Sequence, residues 1–190
     1  MGVRDEQKEQ RRNEIMKAGL ELFVQKGYAA TKVTDIAKAA NMSTGLLFHY
    51  FESKEKLYEA LLEVGISGPK SMMQIEERDP AKFFEEAVRQ ILESLTEHPL
   101  SANLFILMIQ AIFFEPQTER MKEMMQQTVA IEECVPLIQL GQSMGEFKQG
   151  DALALSLTFW CAVQGVAMAF ARDRSLPLPE PSWFVDILRE

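Results

Sequence analysis

Cysteine is close to absent from this 190-residue sequence. Cys134 and Cys161 stand far apart and in no C-x-x-C pattern, so a disulfide framework and a cysteine zinc site are both unsupported, and a reducing cytoplasm fits. Histidine is as scarce. His49 and His98 have no carboxylate or cysteine nearby at ligand or triad spacing, so no catalytic group, metal site or cofactor is expected, and an enzyme is disfavoured. The run Gly65-Ile66-Ser67-Gly68-Pro69-Lys70-Ser71 has the wrong register for a phosphate loop, and no strand precedes it. The start, Met1 to Arg12, is mostly charged and lacks the apolar h-region of a secretory signal. No stretch alternates apolar with polar residues over a useful length and no segment repeats, which leaves an all-α chain.

What is present is an ordinary globular composition, 47% hydrophobic and 25% charged, in a chain long enough to bury about 70% of its unfolded surface. The net charge of -8 is unevenly spread: residues 1–56 carry about +2 and residues 57–190 about -10. Such asymmetry suggests two jobs. The acidic body needs no more explanation than solubility; the basic front does.

Apolar periodicity and capping residues divide the chain into helices. Ile15, Ala18, Gly19, Leu22 and Phe23 predict an amphipathic first helix that stops near Gly27. Val33, Ile36, Ala37 and Ala40 predict a short second one, and Asn41 and Met42 a break. A third runs from Thr44 to Phe51 with Ser43 as N-cap and a Met42–Leu47 staple. Ser53 caps a fourth, ended by Gly65, Gly68 and Pro69. Asp79-Pro80 opens a helix that reaches His98-Pro99, and the next covers roughly Ser101 to Glu115. A long one is expected from about Gln117 to Met144, then a turn over Gly145 to Gly150. Asp151 caps an apolar helix to Arg172, and a proline-marked loop leads into the last.

Two short helices joined by a tight turn form a candidate helix-turn-helix. In the third helix Leu47 and Phe51 point one way, towards the first two helices. Gly45, Leu46 and His49 point outward, with Phe48 and Tyr50 on the flanks and Thr44 at the tip. An exposed helical glycine costs about 1 kcal/mol against alanine, and exposed Leu46 and Phe48 are equally wasteful on a free surface. A helix that lies against DNA explains both, because glycine admits close approach and apolar side chains meet thymine methyls. Lys54 and Lys56 sit in the first turn of the fourth helix, where cations oppose the helix dipole. A phosphate there would reverse that cost, and for Lys54, beside His49 and Tyr50, phosphate binding is the expectation.

The segments Gly27-Tyr28-Ala29-Ala30-Thr31, Asp35-Ile36-Ala37, Ser43-Thr44-Gly45-Leu46-Leu47-Phe48-His49-Tyr50-Phe51 and Ser53-Lys54-Glu55-Lys56-Leu57 together closely resemble the signature of the TetR family of transcriptional regulators. The resemblance covers about the first sixty residues. It implies about nine helices: an N-terminal three-helix DNA-binding domain with a helix-turn-helix, a fourth helix as connecting strut, and a C-terminal helical ligand-binding and dimerisation domain. The division expected is 1–55 and 56–190. It further implies that Thr34 and Ser43 touch phosphates, that Thr44, Gly45, Leu46 and His49 face the major groove, and that Phe48, His49, Tyr50 and Lys54 hold the backbone. Asn41 stands where the family has glycine, and tolerates left-handed φ. Phe48 replaces the commoner tyrosine and loses its hydroxyl.

The body is rich in aromatic and soft side chains. Most are core, but Phe84, Phe105, Met108, Met121, Met125, Phe159, Trp160 and Met168 are the candidates to line a pocket for an apolar small molecule. Residues 152–171 hold no charge and are long enough to span a membrane. Ser156, Thr158 and Gln164 interrupt them, and a helix wedged between its own core and a twin subunit would be equally apolar. Ala152, Ala162, Gly165 and Ala169 would permit that close approach. The expectation is a cytoplasmic, ligand-responsive regulator, a repressor by resemblance. It would bind a near-palindromic operator in double-stranded DNA as a homodimer, paired through the helices from Asp151 to Arg172 and from Pro181 to Arg189. The alternative is a helical membrane-associated or small-molecule-binding protein with no DNA function.

Overall fold

The computed structural model describes residues 3–72, 79–113, 118–126 and 130–190. Its eleven helical segments are α1 (Val3–Lys26), α2 (Val33–Ala39), α3 (Thr44–Tyr50), α4 (Lys54–Met72), α5 (Pro80–Glu97), α6 (Pro99–Phe113), α7 (Glu119–Gln126), α8 (Ala130–Glu133), α9 (Val135–Ser143), α10 (Ala152–Arg172) and α11 (Pro181–Val185). No strand occurs among the described residues, and the chain is all-α.

Local chemistry sets most of the boundaries. Gly27, at φ +78°, ends α1 and donates its N–H to the Phe23 carbonyl at 2.8 Å. Asn41 takes φ +53° in the turn between α2 and α3. Ser43 accepts from the Leu46 N–H at 3.2 Å, Ser53 from that of Lys56 at 3.2 Å, Asp79 from that of Lys82 at 3.1 Å and Asp151 from that of Ala154 at 2.9 Å. Each cap satisfies an N–H that the helix itself leaves open.

Three boundaries differ from the sequence expectation. α4 continues through Gly65, Gly68 and Pro69 to Met72. Gly65 is there for contact: a Cβ on it would lie 2.6 Å from the Met108 sulfur, so its bareness lets α4 close on α6. The long helix expected from Gln117 to Met144 is interrupted at Cys134, where Pro136 in the first turn of α9 has no N–H to continue the ladder. α11 ends at Val185, and a tight turn anchors the chain end through Lys148 N–H donating to the Leu188 carbonyl at 2.8 Å. The break at Cys134 raises the number of helical segments above nine.

Two apolar cores result. One joins Ile15, Leu20 and Phe23 of α1, Ile36 of α2, Leu47 of α3, Leu57, Leu61 and Ile66 of α4, Leu107 and Met108 of α6 and Met121 of α7. The other joins Phe83, Phe84, Val88 and Leu92 of α5, Ala102 of α6, Ile138 of α9, Phe159, Val163 and Phe170 of α10 and Phe184 of α11. Helix α6 contributes to both, and its Gln110 amide donates to the Val24 carbonyl of α1 at 3.2 Å. Packing therefore runs uninterrupted across residues 55 and 56.

α10, with mean hydropathy 1.7, is the one helix among the described residues long and apolar enough to cross a membrane. It is also a core helix on one side, where Phe159 and Val163 are buried and the Ser156 hydroxyl donates to the Ile131 carbonyl at 2.6 Å. Its other side carries exposed Leu153, Leu157, Cys161, Gly165 and Met168. Of the small residues expected to line an outer seam, Gly165 and Ala169 face out, whereas Ala152 is buried and Ala162 packs on the chain's own core. The spacing of that seam is that of the outer stripe, and Ala152 and Ala162 fall off it.

Candidate nucleic-acid interface

α3 is fixed from behind and bare in front. Leu47 and Phe51 are 1% and 5% exposed in the front core, and truncating a leucine so buried costs about 2–5 kcal/mol. Leu46 is 41% and Phe48 45% exposed, and a Cβ on Gly45 would meet no atom within 4 Å. His49 is exposed, with its ring edge-on to Tyr50 at 5.6 Å, while Thr44 and Tyr50 are half-buried. Thr34 is exposed in the first turn of α2. Ser43 is exposed too; its oxygen accepts the α3 cap bond, so its O–H remains a donor to an outside acceptor. Phe48, expected on a flank, stands as open as Leu46.

Lys54 departs from the expectation of a cation held out for phosphate. Its Nζ donates to the Tyr28 carbonyl at 2.8 Å and the Thr31 carbonyl at 3.0 Å, and lies 4.1 Å above the Tyr28 ring. The reason is that the turn after α1 presents two carbonyls no helix satisfies, and an ammonium reaches both. Tyr28 is stacked on Phe23 at 5.7 Å and meets Tyr58, one turn along α4 from Lys54, edge-on at 4.9 Å. Buried Thr31 closes the same turn, its hydroxyl donating to the Gly27 carbonyl at 2.8 Å. The Glu55 carboxyl is held below its ordinary range by a backbone N–H, then by the hydroxyls of Ser53 and Tyr28. The start of α4 is thereby bolted to the end of α1. Sequence reading missed this bolt; the signal was Tyr28 and Thr31 flanking the tight turn, with Lys54 and Tyr58 four apart on one helix face.

The residues expected to line a ligand pocket are not brought together. Phe84 and Phe159 are fully buried in the body core, with Phe105 and Trp160 packed at its edge. Met108 and Met121 belong to the front core instead. Met168 is 40% exposed on the outer side of α10, and the Met125 side chain lies outside the described residues. Similar side chains occupy both cores, and only the path of α6 decides which joins which. Among the described residues no group of three His, Cys, Asp or Glu side chains could hold a metal ion.

Known proteins agree with this geometry. Residues 15–61 match the family model described as bacterial regulatory proteins, tetR family. The HTH-type transcriptional repressor NicS of Pseudomonas putida is 28% identical over 101 residues, 52% of this chain and 48% of NicS. The uncharacterized HTH-type transcriptional regulator YvkB of Bacillus subtilis is 38% identical over 84 residues, 44% of each chain. The matched stretch thus spans about half the length of these relatives. The fold as a whole is shared with the crystal structure of AibR in complex with isovaleryl coenzyme A and operator DNA, at a TM-score of 0.71 and 16% identity over 93% of this chain and 94% of that one. Residues 15–61 are thus similar to the tetR family of bacterial regulatory proteins, and the chain as a whole shares its fold with AibR.

Proposed function

We propose that this chain is a ligand-responsive transcriptional repressor that binds a near-palindromic operator as a homodimer in the cytoplasm. One observation carries the DNA part. α3 is a rigid helix with Leu47 locked in the core, and it presents Gly45, Leu46, Phe48 and His49 to open space. In a major groove Leu46 and His49 meet base edges and thymine methyls, while Thr34, Ser43 and Tyr50 meet phosphates. Residues 1–55 then do the reading and residues 56–190 the sensing and pairing, a division of roles laid over a continuous packing. The reading calls for no catalytic group.

Pairing falls to the outer side of α10 with α11, where Leu153, Leu157, Met168 and Trp183 are exposed. Two-fold pairing there sets two recognition helices about 34–36 Å apart, one turn of DNA. The ligand is a small, largely apolar molecule acting on the body core around Phe84, Phe105, Phe159 and Trp160. The AibR structure holds isovaleryl coenzyme A together with operator DNA, and the branched acyl chain, the apolar part of that thioester, makes small branched acyl compounds a first class to screen. Selection of bound duplexes from a random pool tests the proposal: a near-palindromic site is expected, and release of that site by a compound that also raises the melting temperature. Recovery of no preferred sequence overturns it.

A further inference from the structure

Helix α1 outruns the core it packs on. Between residues 15 and 22 its inward stripe is apolar, with Ile15 and Ala18 buried and Leu22 half-buried. At 100° per residue the same stripe continues towards the N-terminus through Arg11, Lys8 and Arg4. There it finds no core. These three side chains, with Gln7, Gln10 and Glu14, line a groove of about 530 Å³ whose remaining lining residue is Tyr50, in the last turn of α3. Glu14 is the one carboxylate of that groove and is paired with Arg11 at 2.9 Å. Arg4 and Lys8 are exposed and form no ion pair among the described residues. Glu6 and Glu9 instead line an adjoining groove with Asn13, Lys17 and Leu100, and Gln10 and Glu14 form the ridge that the two grooves share. The overhang is held against α3 by Arg12, whose guanidinium lies 5.2 Å from the centre of the Phe51 ring.

We propose that the groove of Arg4, Lys8, Arg11 and Tyr50 seats the sugar-phosphate backbone of duplex DNA beside the bases that α3 reads. The proposal rests on the DNA-binding reading above. Like charges four residues apart destabilise a bare helix, and a polyanion turns that cost into a gain. The row from Arg4 to Arg11 is about 10 Å long, which suits a run of phosphates more than one small anion. A duplex lying on Leu46 and Phe48 continues past the end of α3, where Tyr50 borders the groove, and it carries a charge every ~1.7 Å. Such backbone binding adds affinity and carries no sequence information.

The test compares Arg4→Ala/Lys8→Ala with the parent protein on a selected operator duplex and on a scrambled one, from 50 to 200 mM salt. The slope of log K against log salt is expected to become shallower by about 0.9 for each phosphate no longer neutralised, up to about 1.8 per subunit. Both duplexes should lose affinity by the same factor at unchanged melting temperature, and Arg4→Glu/Lys8→Glu should lose more. The charge-matched Lys17→Ala/Lys82→Ala, away from the groove, should leave the slope where it was. A parent that binds the operator while the Arg4/Lys8 variants keep its slope overturns this proposal alone. So does a loss confined to the operator, which would make the groove a reader of bases. A parent that binds no duplex at all overturns the DNA reading and this proposal with it.

Discussion

The Lys54 ammonium sits 4.1 Å above the Tyr28 ring and donates to the Tyr28 carbonyl at 2.8 Å, twenty-six residues back along the chain. Tyr28 belongs to the turn that leads into α2 and α3, and Lys54 opens the helix that runs back into the body. A movement of α4 must therefore carry the turn with it or break these bonds.

Replacing Lys54 with methionine is expected to lower stability by about 2 kcal/mol, because two carbonyls are deprived of a charged donor and Tyr28 of its cation. Operator affinity should fall through mispositioning, with the salt slope per subunit unchanged, whereas removing a cation that touches phosphate would shrink it. Arginine at 54 should restore part of both. Acid should loosen the same junction. The Glu55 carboxyl is held low in the folded chain, so its contribution is complete above its ordinary value of 4.5 and fades as pH falls through the lowered one. A Glu55→Gln variant should lack that acid-side loss in thermal melts.

Gly45 makes stability and function oppose each other. Nothing lies within 4 Å of a Cβ placed there, so Gly45→Ala should raise stability by up to about 1 kcal/mol and the melting temperature by about 2–4 °C. Operator binding should weaken at the same time, because the added methyl stands where the DNA must approach. Leu46→Ala or His49→Ala should cost roughly 1–3 kcal/mol on the operator and much less on scrambled DNA. A more stable Gly45→Ala protein with full operator affinity would show that α3 does not lie in the groove.

The helix-turn-helix was legible because its signals are local: Ser43 caps its own helix, Asn41 takes its own φ, and Leu47 sits one turn from the cap. Asp79-Pro80 and Asp151 were legible for the same reason. Gly65 misled because a stop signal is overridden when a neighbouring helix supplies the packing, here Met108 of α6. Pro136 was a local signal for the break at Cys134, hidden by the apolar pattern on both sides. The division of Met108 and Met121 from Phe84 and Phe159 was not legible, since it depends on which end of α6 meets which core. The basic stripe of Arg4, Lys8 and Arg11 was in principle readable: it stands in register with Ile15, Ala18 and Leu22.

The two thiols should behave as opposites. Burial pushes the Cys134 thiol up to about 11, against a smaller lowering by the Trp160 indole, whereas Cys161 is exposed on α10. A thiol reagent should modify Cys161 without unfolding when the protein is dilute enough to be unpaired, and reach Cys134 only on unfolding. The raised Cys134 value also gives an alkaline limb to stability. Its contribution is complete below the ordinary 9.0 and is lost as pH climbs towards about 11, up to about 2–3 kcal/mol. Cys134→Ala should lose packing energy at every pH but show a flatter decline between those values.

Gly165 tests the pairing surface with little risk to the fold. It faces outward from α10, on the side of Leu157, Cys161 and Met168, and a Cβ there meets no atom of its own chain within 4 Å. Gly165→Glu should therefore fold with unchanged or slightly higher stability, since glutamate is the better helix former. At a two-fold seam the same change places two buried carboxylates against apolar side chains, a cost that association cannot offset. The variant is expected to sediment as a monomer and to bind a palindromic operator on the order of 10²-fold more weakly, because its two half-sites are no longer linked. Reagent access to Cys161 gives an independent reading: in the parent it should slow as protein concentration rises, and in Gly165→Glu it should not. A parent that sediments as a monomer at micromolar concentration, with Cys161 equally reactive throughout, would leave the outer side of α10 without its proposed partner.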